Sequence, residues 1–152
     1  MQKIKYFLIV IVFFVLGYIL INHLPKVLML ENIKSVLIAG QSIKVDLALT
    51  KETQIQGLSG RAELKENEGM LFIFDHSGIY PFWMKDMNFP IDMIWVNENM
   101  KVVYIKKNAR PELFPEMYTP NENAKYVLEV VSGFSDKNNL KVGDEVELKE
   151  SL

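Results

Sequence analysis

The feature that most constrains this chain is an uninterrupted apolar run near its start. Tyr6 to Ile21 reads Y-F-L-I-V-I-V-F-F-V-L-G-Y-I-L-I, with only Gly17 and two amphipathic tyrosines breaking the aliphatic and phenyl character. As a helix those 16 residues reach about 24 Å, and continuing to Leu24 gives about 28 Å. That is close to the roughly 30 Å hydrocarbon core of a bilayer. A helix apolar all round has no face for water, so lipid is the simplest environment for it. Lys3 and Lys5 flank one end, and Lys26 follows Pro25 at the other. The basic flank and the amino terminus place the N-terminus in the cytosol and the rest outside. A cleaved signal peptide competes with this reading, but no A-x-A-like site follows closely. A buried core helix is the third alternative.

The expected organisation is a signal anchor over 1–24, a tether over 25–34 and a folded domain over 35–150. All 19 acidic residues lie at or after Glu31, against 14 basic ones, so residues 31–152 carry a net charge of −5. Such a domain has no general attraction for nucleic-acid phosphate. Absence of cysteine excludes disulfides, thiolate nucleophiles and lipoprotein-type acylation.

Within the domain, short apolar runs dominate. Ile43, Val45, Leu47 and Leu49 alternate with Lys44, Asp46, Ala48 and Thr50, a strand period. Thr50 is placed to cap a short helix through Gln56 that stops at Gly57. Glu63–Asn67 reads as a further helical turn. Met70–Phe74 is a fully apolar strand, and Asp75-His76-Ser77-Gly78 a turn returning into a partner strand over Tyr80–Met84. Ile91–Val96 and Lys101–Lys106 read as a hairpin. Lys125–Val131 and Glu145–Leu148 are the last strands, with a helical turn capped by Ser135 between them. About seven short strands with two helical inserts predict a mostly β, antiparallel, barrel-like domain. The three prolines of 107–123 mark a long loop, either packed over the barrel or closing a site.

Five residues stand out as candidates for binding. Arg61 follows a glycine-rich turn and offers bidentate recognition of an anion, or a structural ion pair with Glu68, Asp92 or Glu129. Trp83 and Lys85 lie in an unusual aromatic and methionine-rich stretch, Phe82–Pro90, suited to a sugar, peptide or other flat surface. Asp92 lies between Ile91 and Met93, and Glu129 between Leu128 and Val130. A carboxylate inside an apolar strand must face water, accept hydrogen bonds or meet a cation. As neighbours the two could form an acid–base pair. Met84-x-x-Met87 raises soft-metal ligation, but the scattered methionines suit core filling. His76 stands alone, and no metal-binding or nucleophile motif accompanies it. The pattern predicts no metal and no cofactor.

Six ordered blocks carry a family resemblance: Gly57-Leu58-x-x-Arg61, Glu68-Gly69-Met70-Leu71-Phe72-x-Phe74, Phe82-Trp83-Met84-Lys85, Pro90-x-Asp92, Tyr126-Val127-Leu128-Glu129 with Gly133, and Gly143-Asp144. Over about residues 36–148 the chain resembles the domain-of-unknown-function family numbered 192. The resemblance implies a compact, mostly β, barrel-like domain, often behind a signal sequence or membrane anchor in bacteria and archaea, with no established reaction. Asp86-Met87 stands where that family usually has Asn-Thr, and Ile91 where it usually has Leu. The function expected is a membrane-anchored, extracytoplasmic binding or accessory domain without catalysis, holding a small molecule, glycan or peptide. The alternatives are an assembly partner of another membrane protein and an envelope hydrolase using Asp92 and Glu129.

Overall fold

The computed structural model describes the backbone of residues 2–150, with side chains at 6, 8–19 and 30–150. Helix α1 spans Gln2–Glu31. Helical backbone thus runs into the 25–34 stretch expected as a tether, and β1, Ile33–Ile38, starts two residues later. Large apolar side chains along α1 are exposed, Phe13 and Phe14 at 75% and 76%. Among the described residues no helix is long and apolar enough to cross a membrane. The expected span over 1–24 falls partly outside them, at 1–5, 7 and 20–24.

The domain is one seven-stranded sheet. After β1 come β2 (Gln41–Ala48), β3 (Glu68–Gly78), β4 (Ile91–Val96), β5 (Val102–Ala109), β6 (Ala124–Val131) and β7 (Val146–Glu150), arranged β5-β4-β6-β3-β2-β1-β7. Helices α2 (Lys51–Gln56) and α3 (Phe134–Lys137) and a 3-10 turn at Pro111–Leu113 complete it. Two expectations about the sheet are corrected. It is not purely antiparallel, because β2 and β3 pair in parallel, Asp46 opposite Met70 and Ala48 opposite Phe72. The intervening residues 49–67, with α2, supply the crossover that parallel pairing needs. Nor does it close into a barrel. Its edges touch at one bridge, Lys101 with Glu145, beside bonds from Val102 N–H to the Asp144 carbonyl and from Val146 N–H to the Met100 carbonyl.

The curled sheet buries both faces. One packs Val36, Ile43, Leu71, Ile94, Leu128 and Val130 with Phe134 and Leu140. The other packs Met70, Phe72, Met93, Trp95 and Val127 beneath Leu58, Met84 and Tyr118 from the loops. Met70, Met84 and Met93 are therefore core side chains. This second, loop-covered layer has replaced the expected partner strand at Tyr80–Met84, whose backbone makes only a bridge between Phe82 and Tyr118. The Asp75–Gly78 turn is likewise absent, since β3 continues through it with an irregular register against β6. Glu63–Asn67 forms no helix. Gly133, not Ser135, occupies the N-cap of α3.

Candidate functional site

The site begins with sheet register. Glu129 on β6 lies opposite Met70 of β3 on one side and Met93 of β4 on the other, and Met70 lies opposite Asp46 of β2. Asp46, Met70, Glu129 and Met93 thus form one row on the loop-covered face. Gly69 lets the strands approach here, since a Cβ at that position would lie 2.7 Å from the Glu129 carbonyl oxygen.

Glu129 is 4% exposed, and its Oε2 is buried without a hydrogen-bond partner. Removal from water raises the carboxyl pKa to about 8, against the smaller opposing pull of Arg61. At neutral pH this side chain is predominantly an uncharged carboxylic acid, able to donate as well as accept.

Above it lies a cavity of about 200 Å³. One wall is α2 and the turn after it. Thr50 caps α2 reciprocally with Thr53, as expected, and Gln54 Nε2 donates to the Ile73 carbonyl at 2.9 Å, fastening α2 to β3. Gly57 follows at φ +51°, where a Cβ would meet the Phe72 ring at 3.4 Å and lie 4.0 Å from Glu129 Oε2. The other wall is the 79–90 loop. Trp95 Nε1 donates to the Tyr80 carbonyl at 2.8 Å, and Phe82 exchanges backbone hydrogen bonds with Tyr118. Ser59 Oγ donates to the Lys85 carbonyl and Gly60 N–H to the Asp86 carbonyl, both at 2.8 Å, tying the walls together. The lining is aromatic: Phe72 and Phe82 edge to face at 4.8 Å, Phe74 stacked on Tyr80 at 3.6 Å, and Trp83 at the mouth.

Three of the five expected residues, Trp83, Lys85 and Glu129, line this cavity. Arg61 lies beside it, its Nη2 2.7 Å from Asp46 Oδ2, an ion pair with none of the three partners that the sequence suggested. Asp92 is elsewhere. It faces Val130 in register, so strand alternation puts its side chain on the sheet face opposite Glu129. There, fully buried, Oδ1 accepts from the N–H groups of Asn108 (2.8 Å) and Gly133 (3.2 Å), and Oδ2 from Ser135 N–H (2.8 Å). Asp92 therefore satisfies the backbone where β5 ends and α3 begins. Asp92 thus lies away from the cavity that Lys85 lines, and Asp92 and Glu129 form no acid–base pair. Strand β5 takes the first three residues of the expected 107–123 loop, and the remainder packs Tyr118 into the core and does not line the cavity. Gln54, Gly57 and Tyr80 were missed as site residues, because only the crossover and the loop fold bring them to Glu129.

No group of three or more His, Asp or Glu side chains is placed to hold a metal among the described residues. The Ser59 hydroxyl in the lining donates to the Lys85 carbonyl. Recognition through an uncharged acid, ring faces and rim charge is what this geometry can perform.

Residues 34–148 match the DUF192 family, described as uncharacterised ACR. The chain belongs to that family. The crystal structure of a protein of unknown function from Novosphingobium aromaticivorans DSM 12444 superposes with a TM-score of 0.72 at 31% identity, over 76% of this chain and 84% of that one. A candidate transcription regulator from Sinorhizobium meliloti 1021 gives 0.70 at 27% identity, over 75% and 90%. No curated protein matches the chain. The DUF192 match covers both the cavity walls and the Glu129 strand.

Proposed function

We propose that this DUF192 protein is a membrane-anchored, extracytoplasmic domain that binds a small molecule in the cavity above Glu129 and performs no chemistry on it. One observation carries the binding reading: a buried carboxyl oxygen without a partner at the floor of an aromatic-lined cavity. An unsatisfied buried polar atom costs stability, and a ligand that completes its hydrogen bonding removes that cost. The anchoring part rests on the exposed apolar side chains of α1 and the uncharged run that contains them. Hydrolysis by Asp92 with Glu129 has no support, because the two side chains lie on opposite faces. The net charge of −5 over residues 31–152 does not favour contact with nucleic-acid phosphate.

Ligand-observed NMR of the full chain in detergent micelles, against a library of small aromatic and aliphatic fragments, tests the binding reading. Hits are expected, and Ile55→Trp should abolish them. Ile55 lines the cavity but is 61% exposed, so a larger ring there covers the mouth at little cost to folding. A folded chain that binds no fragment, or whose hits survive Ile55→Trp, overturns the reading.

A further inference from the structure

The chemistry of the lining narrows the ligand class, an inference that rests on the binding reading above. We infer that the cavity takes a small monocyclic anion, its ring among the aromatic walls, its charged group at the Lys51 and Lys85 rim, and a hydrogen-bond acceptor at its inner end on Glu129.

Size limits the ligand first. A cavity of about 150 Å³ accommodates benzene, so about 200 Å³ holds one ring with a small substituent. The walls favour a flat ring. Phe72, Phe74, Tyr80 and Phe82 are occupied with one another, whereas Trp83 is 43% exposed and makes no ring contact among the described residues. Its free face at the mouth can stack on a ligand.

Charge gives the sign. Lys51 from α2 and Lys85 from the 79–90 loop line the mouth, both exposed and neither in an ion pair among the described residues. Glu129 is the only acid in the lining, and burial keeps it protonated at neutral pH. Arg61 pulls the other way, but less than burial raises the carboxyl pKa. Arg61 is held by Asp46 of β2, and the cross-strand neighbours Met70 of β3 and Met93 of β4 are uncharged. Asp86, beside Lys85, does not line the cavity. A cationic ligand would meet two ammonium groups at the rim and would have to ionise Glu129 against its burial. An anion meets complementary charge at the rim and a donor at the floor.

The probes are 4-cyanobenzoate, 4-methylbenzoate and 4-cyanobenzylamine, titrated into the full chain in detergent. The nitrile accepts a hydrogen bond but cannot donate one. At pH 7, 4-cyanobenzoate should bind tightest, and its nitrile stretch should shift on binding. Its affinity should be about tenfold weaker at pH 9, because the protonated fraction of a group titrating at about 8 falls by that factor. Glu129→Leu should erase its advantage over 4-methylbenzoate. Glu129→Gln retains a donor, and should keep the advantage while losing the pH dependence. Lys51→Glu with Lys85→Glu should weaken both benzoates at least fivefold. Tighter binding of the amine, or an anion preference unmoved by the lysine changes, overturns the ligand class. Failure of all three probes beside successful fragment hits overturns the class alone, and failure of both sets overturns the cavity as a binding site.

Discussion

Two carboxylates occupy equivalent-looking places in apolar strands, and the fold resolves them in opposite ways. Asp92 is surrounded by three backbone donors, whereas Glu129 Oε2 has none. The sequence shows that each side chain needs a solution, but the donors for Asp92 come from residues 108, 133 and 135, which only the folded chain assembles. The Glu129 solution has a measurable signature in stability. Unfolded, this carboxyl loses its proton near 4.5, while folded it holds the proton up to about 8. Between those values the folded state binds more protons, so the contribution of Glu129 to stability falls as pH rises, by up to about 1.4 kcal/mol per pH unit, and levels off above pH 8. Glu129→Gln should remove this dependence. Urea unfolding from pH 4 to 9 should show the variant gaining on the native chain by a few kcal/mol across that window. A constant difference between the two curves would mean that Glu129 is ionised in the folded protein.

At the scale of elements, legibility followed locality. Helix α2 was readable because its cap and stop lie within eight residues, Thr50 to Gly57. The expected Met70–Phe74 strand was readable from its unbroken apolar run, which now forms part of β3 at the centre of the sheet. Strand β1 was not recognised, because Ile33–Ile38 mixes buried, half-exposed and exposed positions without clean alternation. The parallel β2–β3 pairing was hidden for a different reason: it depends on where the 49–67 crossover lands, and no local pattern records that. The alternation within β3 places Met70 and Phe72 with the second core and Leu71 and Ile73 with the first, as the strand period requires. Phe72 is 1% exposed and also forms a wall of the cavity. Phe72→Ala should therefore cost about 3–5 kcal/mol, with collapse hindered by the neighbouring space. Denaturant unfolding monitored by tryptophan fluorescence checks this, and a loss below about 1 kcal/mol would mean that β3 contributes little to the core.

For the whole molecule, the decisive contrast is between α1 and the sheet. The domain buries both faces of its sheet and places most of its charge outside, whereas α1 presents Leu8 to Leu16 to its surroundings without one charged side chain. Water is a poor solvent for that surface, and a bilayer offers the missing apolar phase. Such anchoring would hold the Glu129 cavity near the membrane, where local encounter with ligand is set by tethering as well as affinity. The full chain should accordingly remain in the membrane pellet after an alkaline carbonate wash. Replacing Val12 and Leu16 with arginine should release it, since charged groups are costly at bilayer depth. Intact native chain in the carbonate supernatant would overturn anchoring. Mature protein beginning near residue 25 would assign the apolar run to a cleaved signal, leaving the cavity and its ligand tests unaffected.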